Sequence, residues 1–290
     1  MLESDPIVRA KARAIISGWG FDDPSQIDLH VIAAEMGLLI VEKPIEGSAA
    51  RLICDKERGI IAVNEDIHES GRKRFATAHE LGHFILHRSQ SNLKICTEDS
   101  FLNWYSRADI ESESNIFAAE LLMPVGIFDK VAKRKPPAFS WIVDLSEDFL
   151  TSVTATAIRY VEISGHACAL VAGSEGKVKW ISKSANFPHR ILGCGETLHS
   201  FSCAGEYFLK KTRTSGAETV SGEAWLEDRG LGQKLHLKEE LLVMPSYGLT
   251  LSLIWLIDNP GKPRDWYAED YLPTQSDPEH FTPDGKRYRW

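Results

Sequence analysis

Several features that would classify a chain at once are missing from these 290 residues. There is no CxxC pair. The five cysteines (Cys54, Cys96, Cys168, Cys194 and Cys203) are odd in number and scattered, which excludes a disulfide framework and a cysteine zinc knuckle as the organising element. Buried reduced thiols are the simplest reading for at least four of them. No apolar run approaches the roughly 18 residues of a membrane span. The start "MLESDPIVRAKARAII" is acidic at its tip and unlike a secretory signal. The expectation is therefore a cytoplasmic protein with no membrane partner. Positive charge is not in excess either. A net charge of −8 argues against a dedicated duplex-DNA binder, whose affinity comes from neutralising phosphates. Repeats and low-complexity tracts are absent.

What is present is "RFATAHELGHFILH", residues 74–87. His79 and His83, four apart on a helix, lie about 40° apart in angle and about 6 Å apart in rise, so both imidazoles can reach one ion. Glu80 lies beside that face, where it can act on a water without being a ligand. An HExxH pattern arises by chance in roughly 3% of chains of this composition. The apolar frame of Phe75, Ala78, Leu81, Phe84 and Ile85 marks a buried helix, in which two histidines without partners would be costly. Gly82 leaves a small surface for a neighbouring element. A catalytic zinc needs a third protein ligand and an open position. Glu111, at the start of the helical "ESESNIFAAELLM", is the candidate, with Glu120 and Asp109 as poorer alternatives. Glu113 points away from the face of Glu111. Asn115, four after Glu111, could orient a ligand histidine. His87 lies about 12 Å along the axis from His79, too far for the same ion, and reads as a capping or surface histidine.

Around this core, "DPIVRAKARAIISGWG" and "SQIDLHVIAAEMG" read as helices, the second with Ile27, Val31, Ala34 and Met36 near helical spacing. "LLIVEK", "ARLICD" and "GIIAVN" read as strands. "KRKPPAF" reads as a linker, and residues 140–163 as two short helices with a turn near Thr151. Beyond Gly165 the pattern turns to strands, with a turn at "SEGK" and two apolar strands about "SYG". Residues 259–290 hold 5 of the 13 prolines and read as an irregular tail.

The pairing of "RFATAHELGHFILH" with "ESESNIFAAELLMP" resembles the ImmA/IrrE family of zinc metallopeptidases, over about residues 5–165. Ser114, where an alanine is usual, is the one departure noted. The resemblance implies Zn2+ held gluzincin-fashion by His79, His83 and Glu111, with Glu80 catalytic. It also implies an α+β fold, mainly helical and zincin-like with a small sheet in residues 1–135. A helix-turn-helix-like segment follows at 136–164, then a β-rich domain at 165–258. That domain resembles the GAF-like sensor of the long, radiation-response and antiphage-regulatory members. The implied function is an endopeptidase that cleaves a helix-turn-helix repressor to release a stress, DNA-damage or phage-defence response. The alternative is a non-catalytic zinc-containing regulator acting through DNA or a partner protein.

Three further expectations follow from the residues. Cys96, in the loop between the ligand-bearing helices, could block the open zinc position. His68 and Tyr105 are guesses for an oxyanion-stabilising group. "YFLKKTRTSG" places Lys210, Lys211 and Arg213 beside aromatics, an arrangement suited to single-stranded nucleic acid or a small-molecule signal at the C-terminal domain.

Overall fold

Capping residues set the first elements. Asp5 and Pro6 open α1 (Asp5–Trp19), and Gly20, at φ +69°, follows it. The computed structural model describes residues 5–55, 57–88, 109–211 and 215–257. The Asp28 carboxylate accepts from the His30 and Val31 amides, so α2 (Leu29–Glu35) begins there and not at Ser25. A separate 3-10 turn at Pro24–Gln26, closed by Asp23 and Gln26, takes up the residues before it. The inward face is consequently Leu29, Ile32 and Ala33, whereas Val31 and Ala34, expected inside, face out.

Strands β1 (Leu38–Lys43), β2 (Ala50–Cys54) and β3 (Gly59–Asn64) stand where the sequence places them and form a sheet ordered β1-β3-β2. β1 runs parallel to β3 and β2 antiparallel to it. Helix α3 (Ser70–His87) packs on this sheet, and α4 (Asp109–Leu122) packs on α3. Pro124 closes α4 and caps α5 (Val125–Ala132), a helix that the sequence reading passed over. α6 (Phe139–Asp148) and α7 (Val153–Ile163) follow, with the turn at Thr151 as expected.

The remaining strands are β4 (Cys168–Ser174), β5 (Lys177–Lys183), β6 (Ala217–Ser221), β7 (His236–Met244) and β8 (Leu249–Leu256). They make an antiparallel sheet ordered β5-β4-β8-β7-β6. Glu175 and Gly176, both at positive φ, turn the β4–β5 hairpin, as "SEGK" implied. Two helices of this part were not foreseen, α8 (Cys203–Lys210) and the short α9 (Arg229–Gly232).

β4 shows how the two halves join. Cys168, Leu170 and Ala172 belong to the core shared with the helices, while Ala169 and Val171 belong to a second core on the far face with Phe187, Trp225 and Ile254. Side chains alternate by two along a strand, so burial on both faces requires the near-continuous apolar run "CALVA". The described residues up to Leu256 thus form one compact unit of mixed α+β structure with two sheets. No described helix is long and apolar enough to cross a membrane. The expected tail at 259–290, and the loop holding Cys96 and Tyr105, lie outside the described residues.

Candidate metal centre

Gly82 decides how closely α3 and α4 approach. A Cβ there would stand 3.1 Å from the Phe117 ring and 3.3 Å from the Ser114 backbone. With glycine, α4 settles against α3 and carries Glu111, one turn before Ser114, over the two histidines. His79 Nε2 lies 2.9 Å from His83 Nε2. Glu111 Oε2 is 3.2 Å from His79 Nε2, and its Oε1 is 3.5 Å from His83 Nε2. Three donor atoms, two imidazole nitrogens and a carboxylate oxygen, thus converge within 4.8 Å of one another, with both histidines fully buried. Ligands about 2.0–2.1 Å from a tetrahedral zinc stand about 3.3 Å apart, and the three edges bracket that value. The donor set and its spacing fit zinc.

The tautomer fits as well. Asn115 Oδ1 lies 2.8 Å from His79 Nδ1 and accepts its proton, which leaves the Nε2 lone pair turned to the cluster. Burial works against ionisation of Glu111, but the adjoining imidazoles of His79 and His83 outweigh it. Its carboxyl is held well below the ordinary range. Glu80 is buried next to His79. Its charge reaches Cys54 on β2, where burial first, then Asp55, then Glu80 raise the thiol.

Other expectations need correction. His87 is buried, not at the surface, because the start of α4 covers it. Its Nε2 faces Glu113 Oε2 at 3.5 Å, and its ring packs 5.6 Å from that of His83. Burial first, and then His83, lower its pKa. Glu113 therefore serves His87 while Glu111 faces the pair, as helical geometry requires. Glu120 is no metal candidate: its buried carboxylate pairs with Arg159 at 2.6 Å, Arg13 at 2.8 Å and Arg9 at 3.2 Å. The sequence signal was a glutamate inside the apolar "FAAELLMP", which demands buried cations. Asp109's side chain, Cys96, Tyr105 and Arg213 lie outside the described residues, and His68 is exposed before α3.

The pair α6–α7, where a helix-turn-helix-like segment is expected, offers no reading surface on α7. Residues Ala155 to Val161 are buried, and Arg159, its single basic residue, turns inward to Glu120 and the Met123 carbonyl. On α8 Lys210 pairs with Glu206 at 3.0 Å, and the ammonium of Lys211, which follows the helix, lies 5.1 Å from the centre of the Tyr207 ring. His166, His189 and His199 are separate, the first bonding the Lys135 carbonyl and the last accepting from the Phe201 amide. Among the described cysteines, none is bridged. Cys168 is buried, and burial pushes it up to about 12, but Cys194 is exposed and Cys54 half-buried, against the expectation of burial.

Residues 33–160, from α2 to most of α7, match the family model Peptidase_M78, described as an IrrE N-terminal-like domain. No curated protein matches the chain. A solved structure titled Mycobacterium tuberculosis transcriptional regulator superposes with a TM-score of 0.55 at 11% identity. The alignment covers 86% of this chain and 76% of that one, and the likeness is one of fold.

Proposed function

We propose that this protein is a regulatory zinc metalloendopeptidase that cleaves a helix-turn-helix transcriptional repressor. The observation that carries the reading is the convergence of His79, His83 and Glu111 with Glu80 buried next in the chain. In this proposal the first three hold Zn2+ and Asn115 keeps His79 in the ligating tautomer. When bound, zinc supplies Lewis acidity toward water and toward a peptide carbonyl. Glu80 takes the proton from the attacking water and returns it to the leaving amine. The match to a peptidase family and the fold likeness to a transcriptional regulator support a regulator as substrate. The five-stranded sheet, buried on the helices through one face, suits a GAF-like sensor joined to the peptidase part.

Glu80→Gln tests the reading against a purely binding role. Neo-N-termini are mapped by mass spectrometry in cells expressing the wild type or the variant, with zinc per chain measured on both proteins. A cleavage within a helix-turn-helix protein, present with wild type and absent with a variant that still holds zinc, supports the proposal. Equal biological output from both proteins, with no cleavage, makes the non-catalytic regulator the better reading. DNA binding through α7 is disfavoured in that case too, since its residues are buried.

A further inference from the structure

A cavity of about 330 Å³ lies between the first turn of α3, the α6–α7 turn and β8, away from the metal ligands. We propose that it binds a small apolar monocarboxylate, its chain in the cavity and its head group at the helix starts. The volume is within the range of small-molecule sites, which combine apolar walls with a few placed polar groups. The walls are Phe75, Val153, Trp180, Met244, Leu249 and Leu251.

The polar groups favour an acceptor. The first turns of α3 and α7 both line the cavity, and initial N–H groups have no partner within a helix and carry partial positive charge. Gly71 holds these two turns together: a Cβ there would stand 2.4 Å from the Thr151 carbonyl carbon, so no side chain fits. Arg72 also lines the cavity, with its guanidinium 5.3 Å from the centre of the Tyr247 ring. The one carboxylate present, Glu69, accepts from the Tyr247 hydroxyl at 2.9 Å, a bond that heads the causes lowering its pKa. Glu69 and Arg72 balance in charge, Arg72 also donating to the Tyr247 hydroxyl at 3.3 Å, and the remaining polar side chains are hydroxyls that can donate to an acceptor.

Trp180 gives the independent observation. It is 3% exposed, and its indole N–H has no hydrogen-bond partner among the described residues. A buried donor without an acceptor is costly, and a bound carboxylate would supply one. Phe75 and Ala76 line the cavity one turn before His79, so an occupant touches the helix that carries the candidate metal centre.

The test needs no peptidase assay and so stands apart from the zinc reading. Octanoate is titrated into the full chain by calorimetry, and the indole 1H–15N resonances are followed, that of Trp180 being identified with Trp180→Phe. One saturable site is expected, with a shift of the Trp180 signal. Arg72→Met, or octylamine in place of octanoate, should weaken binding at least about tenfold. Met244→Trp fills the cavity and should abolish binding, with Leu249→Trp serving from the facing strand if the first variant misfolds. Absence of saturable octanoate binding overturns the proposal, as does binding that both filling variants leave intact. Octylamine binding as tightly as octanoate overturns the assignment of an anionic head.

Discussion

The carboxylates of Glu111, part-buried, and Glu239, fully buried, sit in surroundings of opposite kind. Glu239, in the second sheet, accepts from the Cys203 and Ala204 amides, the Trp225 indole and the Ser252 hydroxyl, at 2.9 to 3.1 Å. All four are neutral donors, and burial still dominates, so its pKa is raised. The group fastens the start of α8 to β7, and its hydrogen bonds come from the protein itself. Glu111 instead faces two imidazoles, one of which already gives its Nδ1 proton to Asn115. Lone pairs gathered around a common point call for a cation. What separates the structural acid from the candidate ligand is therefore the polarity of its neighbours together with its depth, since Glu239 is fully buried and Glu111 is not.

The largest effect that would break this contrast concerns metal. Zinc at about a thousandfold excess over its Kd should raise unfolding stability by about 4 kcal/mol in wild type. The gain should vanish in Glu111→Ala and survive in Glu239→Gln, both read by denaturant unfolding with and without chelator. A survival of the gain in Glu111→Ala would remove Glu111 from the ligand set. Next is the Glu120 cluster, a third buried acid whose neighbours are cations. Arg159→Met should cost about 3 kcal/mol, because it leaves Glu120 short of its closest partner, without altering zinc stoichiometry. Glu239→Gln should cost about 2 kcal/mol, since the amide turns a donor toward groups that are themselves donors.

The smallest effect is one of sign. Glu120 has its pKa lowered: burial, the largest influence, opposes this, but Arg159 and the hydrogen bonds together prevail. Its contribution is fully present above its ordinary value of 4.5 and is lost as pH falls below it. Glu239, with a raised pKa, penalises the fold while ionised, and acidification toward 4.5 relieves that penalty. The stability advantage of wild type over Glu120→Gln should therefore shrink as pH falls below 4.5, whereas wild type should lose stability relative to Glu239→Gln as pH rises above 4.5.

Much of the centre was legible because helical geometry fixes it. The strands before α3, the HExxH face and the split between Glu111 and Glu113 follow from periods of two and 3.6. Glu111 and Glu120, nine residues apart on α4, lie about 180° around its axis. One must face α3 and the other α1 and α7, but the chain does not say which until the partners are placed. His87 was misread for a related reason: its surroundings come from α4 and not from its own helix. Short or polar elements escaped altogether. α5 spans eight residues directly after a proline, too few for periodicity to show, and α8 runs into the stretch whose lysines suggest an anion contact. The face of α2 was displaced because a cap at Asp28 outweighs an apolar pattern begun too early.

The contact at Gly82 has a further consequence. Helices α3 and α4 already touch through backbone and ring, with no side chain on the α3 side left to shrink. Their separation is at its floor, so thermal motion or substitution can only move them apart. The triangle of ligand atoms can widen but cannot be squeezed. Slackness, not crowding, is the direction in which this centre would lose its grip.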